Sequence, residues 1–149
     1  MLGCPKHLPP QDIRPAVTFA ERMTDHVNQL NQAWQDRQFD ALAQFYHPNV
    51  VLLPPDAGPP IVGRDGVVAS YQDFAAAELV DFTAEAIDTF EFGDTGVCHL
   101  RFQIEYLLEG SRYRERGVEV YVMTRVGGEL AIIWRSQSLT EVSDFPANE

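Results

Sequence analysis

The spacing of apolar positions changes along this chain, and the change marks its elements. Ala20, Met23, Val27, Leu30 and Trp34 recur at spacings of 3, 4, 3 and 4, which puts all five on one helical stripe. Pro15 suits a first turn and Thr18-x-x-Glu21 reads as a capping box, so the start falls within about one turn of these residues. Asp40 is placed to cap a second, short helix carrying Leu42, Phe45 and Tyr46 until Pro48 stops it. Residues 50–53 read as a brief strand. Pro54-Pro55-Asp56-Ala57-Gly58-Pro59-Pro60 then forces an irregular loop, because proline has no N–H for a ladder. Ile61-Val62 reads as a small strand. Asp65 is placed to cap a third helix, with Val67, Val68, Tyr71, Phe74 and Ala75 on one face.

From residue 80 the period drops to two. Four long strands, 80–92, 97–108, 113–125 and 129–140, are separated by Gly93-Asp94-Thr95-Gly96, Glu109-Gly110-Ser111 and Val126-Gly127-Gly128. Leu100, Phe102, Ile104, Tyr106 and Leu108 share one side of the second strand, with His99, Arg101, Gln103 and Glu105 on the other. In the third, Val118, Val120 and Val122 oppose Glu119, Tyr121 and Met123. In the last, strict alternation sets Leu130, Ile132 and Trp134 against Ala131, Ile133 and Arg135. The final two strands are thus apolar on both faces, one for a core and one for a partner. A second copy is the expected partner, giving a homodimer through the outer sheet face. Helices first and an antiparallel meander after them predict an α+β domain whose sheet curls over the helices. The expected boundaries are an N-terminal arm over 1–16, one domain over 17–142 and a C-terminal tail over 143–149.

Composition narrows the function classes. The 149 residues include 22 acids and 11 bases, for a net charge of −11. That balance disfavours nucleic acid and anionic membrane surfaces. No apolar run approaches the roughly 20 residues that span a bilayer. Cys4 and Cys98 read as ordinary thiols, and no basic segment or apolar run precedes Cys4, so a cytoplasmic protein without an export signal is expected. His7, His26, His47 and His99 show no metal-ligand spacing, and no nucleotide-binding glycine motif occurs. Neither a metal nor a cofactor is expected.

Three segments together resemble the nuclear transport factor 2-like superfamily of cone-shaped α+β domains. One runs from Asn28-Gln29-Leu30-Asn31-Gln32-Ala33-Trp34-Gln35-Asp36 into Phe39-Asp40-Ala41-Leu42-Ala43-Gln44-Phe45-Tyr46. Another joins Asn49-Val50-Val51-Leu52-Leu53-Pro54 to Ile61-Val62-Gly63-Arg64-Asp65. The last ends the meander, Leu130-Ala131-Ile132-Ile133-Trp134-Arg135-Ser136. The resemblance spans roughly residues 17–140, about the size of a typical domain. It implies a cystatin-like fold, N-terminal helices packed into a strongly bent, mixed but mainly antiparallel sheet. It implies less about activity, since ketosteroid isomerases, SnoaL-like cyclases, dehydratases and kinase association domains share the fold. Aligned without gaps on Tyr46 and Gly63, Pro54 stands where the ketosteroid isomerases keep their general-base aspartate. Leu30 stands where they keep an oxyanion-hole tyrosine. That isomerase chemistry therefore has no support here. Tyr46 and Tyr71 do fall on the family's pocket tyrosines.

The resemblance thus implies a small-molecule-binding domain, with isomerase, cyclase or dehydratase chemistry on an apolar, oxygen-bearing substrate as the range. A non-catalytic dimeric association module with a vestigial pocket is the alternative, in which Tyr121, Met123 and Ile133 hold the assembly. Glu119, flanked by Val118 and Val120, is the candidate catalytic acid or base; a cross-strand pair with Arg101 or another arginine, or exposure at the sheet's outer face, is the structural alternative. Trp34, Tyr46, Tyr71, Tyr121 and Trp134 are candidate pocket residues, with plain core packing as the alternative for Trp34, Tyr46, Tyr71 and Trp134. Arg112, Arg114 and Arg116, alternating along one strand, either grip an anion or balance neighbouring acids.

Overall fold

The computed structural model describes residues 17–146, so the expected arm over 1–16, Cys4 and His7 lie outside the described residues. Helix α1, Phe19–Gln35, opens the chain. Thr18 caps it: its hydroxyl accepts from Glu21 N at 3.1 Å, and the Glu21 carboxylate takes the Thr18 backbone N–H at 3.3 Å. A 3-10 helix, Phe39–Phe45, follows without a side-chain cap from Asp40. Strand β1 then covers Tyr46–Leu53, earlier than the sequence suggests, so Pro48 and His47 lie in a strand rather than at a helix end. Proline is tolerated because the β1 ladder is irregular between Tyr46 and Val51. After β2, Ile61–Val62, helix α2 covers Arg64–Ser70 with Gly63, not Asp65, at its N-cap, and a 3-10 turn over Tyr71–Phe74 prolongs it. Gly63 has φ +95°, a backbone setting that favours glycine.

Four long strands complete the fold: β3, Glu78–Phe92; β4, Thr95–Leu108; β5, Ser111–Val126; and β6, Glu129–Pro146. The last of these continues past residue 142. The sheet order is β2-β1-β6-β5-β4-β3, with β1 and β6 parallel and every other pair antiparallel. The sheet is strongly bent and curls without closing, and α1 touches β3, β4 and β6 along its inner face. Met23, Val27 and Leu30 of α1 pack there against Cys98, Leu100, Tyr121, Met123 and Ile132.

Two β-bulges bend β6, and one of them decides the site. Met123 pairs with Ile132 but Val122 pairs with Trp134, so Ile133 is the extra residue. An extra residue interrupts the alternation of faces. Ile132 and Arg135 consequently both point inward, while Trp134 turns to the outer face beside Val122 and is 36% exposed. Strict period-two reading has this reversed for Trp134 and Arg135. Across the neighbouring strand, Tyr121 and Met123 are fully buried, so the outer face is built instead from Val97, Val118, Val120, Val122 and Trp134.

Candidate functional site

A cavity of about 250 Å³ opens between the C-terminal half of α1, the Tyr71–Phe74 turn and the inner sheet face. Its walls are mainly apolar: Trp34 meets Phe82 and Phe74 edge-on, at centroid separations of 5.0 and 6.0 Å. Phe102, Ile104 and Leu139 line it from the sheet. Polar side chains reach it from several elements, among them Asn31 of α1, Tyr71, Glu115 and Glu119 of β5, and Arg135 and Gln137 of β6, with Arg37 just after α1. Apolar walls with a few convergent polar groups are the usual form of a ligand site.

Glu119 is 2% exposed and Arg135 8%. Nε and Nη2 of Arg135 each lie 2.7 Å from Oε2 of Glu119, and the Tyr121 hydroxyl donates to the same oxygen at 3.3 Å. All three donors converge on one carboxylate oxygen. Among the described residues none is directed at Oε1, and Glu119 lines the cavity. On the other side of the guanidinium, Nη1 donates to the hydroxyls of Tyr46 at 3.0 Å and Tyr71 at 2.7 Å. Burial by itself would lower the Arg135 pKa, but the Glu119 charge and the surrounding phenol groups raise it well above its ordinary value. The cation is thus permanent.

The two tyrosine hydroxyls lie 2.7 Å apart. Tyr46 is 2% exposed, and among the described residues its hydroxyl bonds only Arg135 and Tyr71. A guanidinium cannot accept a hydrogen bond. The Tyr46 proton therefore goes to the Tyr71 oxygen, which leaves the Tyr71 O–H to donate into the cavity. Burial pushes Tyr46 and Tyr121 well above the ordinary phenol range, so both stay neutral donors.

The structure therefore gathers Glu119, Tyr46, Tyr71 and Tyr121 into one network, with Tyr46 and Tyr121 supporting it from behind the wall. Trp34 stands on the wall itself. Trp134 does not: the Ile133 bulge carries it to the opposite face, which corrects the placement expected from alternation. Two residues of the site escaped the sequence reading. Arg135 was hidden by the same bulge, although a buried Glu119 called for some arginine partner. Asn31 carried a faint signal, an amide three residues before Trp34 and so on the same side of the helix. The arginines of β5 go to acids: Arg114 bonds Glu105 at 2.7 Å, and Arg116 reaches Glu141 at 3.4 Å. No group of three His, Cys, Asp or Glu side chains is assembled among the described residues, and none of their helices is long and apolar enough to cross a membrane.

The profile of the SnoaL-like domain matches residues 27–131. The chain belongs to the SnoaL-like domain family. Among curated proteins, no sequence matches it. Several solved structures share the fold of this SnoaL-like domain. A ketosteroid isomerase-like protein from Erwinia carotovora atroseptica superimposes with a TM-score of 0.72 at 15% identity, over 80% of this chain and 95% of that one. A protein from Novosphingobium aromaticivorans, provisionally assigned as a scytalone dehydratase, gives 0.70 at 10% identity, over 83% and 85%. A provisionally assigned calcium/calmodulin-dependent kinase II association domain from Exiguobacterium sibiricum gives 0.72 at 10%, over 87% and 98%. At such identities the likeness is one of fold.

Proposed function

We propose that this SnoaL-like domain binds an apolar, oxygen-bearing small molecule in the cavity and performs cofactor-independent acid–base chemistry of the isomerase, cyclase or dehydratase kind. One observation carries the reading: Glu119 lines the cavity with an oxygen that no donor among the described residues reaches, while its other oxygen takes three donors. A carboxylate anchored in this way keeps its orientation and still has an acceptor to offer a substrate proton. Tyr71, whose O–H is left over by the proton count above, orients a substrate oxygen, and Arg135 supplies fixed positive charge behind it. Proton abstraction next to a carbonyl at Oε1 of Glu119, followed by return of the proton at another position, needs no group beyond these.

The test is catalysed hydrogen–deuterium exchange at the α-carbon of 2-tetralone, followed by mass spectrometry in D2O. Exchange above the buffer rate that falls at least about 100-fold in Glu119→Gln is the expected result. Exchange at an equal rate in Glu119→Gln removes Glu119 from the role, and no exchange in the parent protein defeats this chemistry.

A homodimer through the outer sheet face is compatible with the same proposal. Its support is the row Val97, Val122 and Trp134, adjoined by Val120 and Val118, on the face turned away from α1. The structural likeness to an association domain adds to it. Trp134→Lys is expected to convert a dimer to a 16.8 kDa monomer in light scattering; an unchanged mass overturns the dimer.

A further inference from the structure

Nearly every polar side chain on the cavity wall is already held by another part of the protein. Asn31 takes the Trp34 indole N–H at 3.0 Å, Gln35 donates back to the Asn31 carbonyl at 2.9 Å, and Ser70 donates to the Val67 carbonyl at 2.6 Å. Arg37 donates to the carbonyls of Ala75 and Ala77, and Oε2 of Glu115 accepts from Tyr106 at 2.8 Å. Gln137 is the exception: it lines the cavity, is half-buried, and its amide has no hydrogen-bond partner among the described residues. The pairing of β5 with β6 fixes its place. Between the two bulges the register is regular, so Arg135, Gln137 and Leu139 face inward opposite Tyr121, Glu119 and Gly117. Gln137 is thus the direct cross-strand neighbour of Glu119. It stands two residues, about 7 Å, beyond the arginine that holds Tyr71.

We infer that Gln137 is a ligand-recognition residue, whose amide receives a hydroxyl group on the ring compound that Tyr71 and Glu119 act on. This rests on the proposed small-molecule role of the same cavity and adds a second polar feature to the substrate class. The amide offers a donor at Nε2 and an acceptor at Oε1, and a hydroxyl both accepts and donates; a carboxylate only accepts and an ammonium only donates. Charge argues the same way. Two acids on the cavity wall, Glu115 and Glu119, are matched by two arginines, Arg37 and Arg135. Arg135 directs Nε and Nη2 at Glu119 and Nη1 at two tyrosine hydroxyls, while both Nη groups of Arg37 are directed at backbone carbonyls. Both guanidinium groups therefore already have acceptors, and an anion beside Gln137 would meet the Glu119 carboxylate across the strand pair. A neutral hydroxyl meets no such obstacle. Trp34, Phe74, Phe82 and Phe102 supply apolar walls that suit the ring.

The experiment measures affinities of the full chain for 2-tetralone and for the isomeric phenols made by adding one hydroxyl to its aromatic ring. At least one phenol is expected to bind about tenfold more tightly than 2-tetralone. Gln137→Met keeps the length of the side chain and removes the amide, and is expected to abolish that preference while still binding 2-tetralone. Binding of 2-tetralone also certifies that the variant is folded. A hydroxyl preference that survives in Gln137→Met, or none in a parent protein that binds 2-tetralone, overturns the role of Gln137 and leaves the cavity reading standing. An equal fall for every ligand shows that the residue acts through Glu119, and overturns direct recognition. Tighter binding by a tetralone carboxylate substituted at the preferred position overturns the choice of a neutral group. Failure of the parent protein to bind any of these compounds overturns both proposals.

Discussion

Glu119 and Arg135 meet through a single oxygen: two guanidinium nitrogens of Arg135 lie 2.7 Å from Oε2 of Glu119, at the centre of a sheet where both side chains are almost fully buried. Buried pairs of this kind are poor evidence of net stability, because desolvation offsets much of their attraction. They are instead sensitive to loss of one member. Arg135→Met is expected to destabilise the domain by about 3–5 kcal/mol in urea unfolding, since it strands a carboxylate. The double variant Glu119→Leu/Arg135→Met is expected to recover a large part of that loss. Equal stabilities for the single and double variants would show that the two residues are not energetically coupled.

Gly117 tolerates no side chain. A Cβ there would meet the Ser138 carbonyl oxygen and the Phe102 ring, and the β5–β6 ladder already shifts register beside it. The obstruction includes backbone, which cannot swing aside. Gly117→Ala is therefore expected to cost about 1–3 kcal/mol in thermal unfolding, and a neutral substitution would contradict the close strand approach.

Stability should weaken in mild acid through His26. Burial lowers its pKa below the ordinary 6.5, outweighing the Phe45 carbonyl that its Nε2 meets at 3.0 Å; Arg22 lowers it further. The folded state thus holds fewer protons on this ring than the unfolded state between the two pKa values. Stability is unaffected by this group above about pH 6.5 and declines as pH drops below it, with a slope of at most about 1.4 kcal/mol per pH unit. In His26→Gln that component of the slope should disappear. A difference curve between the two proteins that stays flat from pH 7 to 5 would count against it.

The α1 cap can be weighed with little interference from packing because Thr18 is exposed. Thr18→Ala should lower stability by about 1 kcal/mol, and Thr18→Ser should restore nearly all of it. An alanine variant as stable as the parent would mean that the capping box does not hold in solution.

The element order, the α1 stripe and the four long strands were legible in the residues, because helical and strand periodicities are local and long. The Thr18–Glu21 box was legible for the same reason. Asp40 and Asp65 were less informative: each sits where a cap is wanted, but backbone geometry chose Gln38 and Gly63. Glu119 stood out as an acid inside a β-branched run, and Tyr46 and Tyr71 through the family resemblance.

The sequence by itself determined an α+β domain of the SnoaL-like kind and marked out an acid within an apolar run of its third long strand. Only the tertiary structure decided which arginine meets that acid, which tryptophan walls the cavity, and that Asn31 stands on its wall. The reason is physical: a bulge is one residue inserted in one strand relative to its neighbour, so it exists only in the pairing of Val122-Met123 with Ile132-Ile133-Trp134. No count along a single strand can reveal which residue is extra, and every face assignment beyond it depends on that choice.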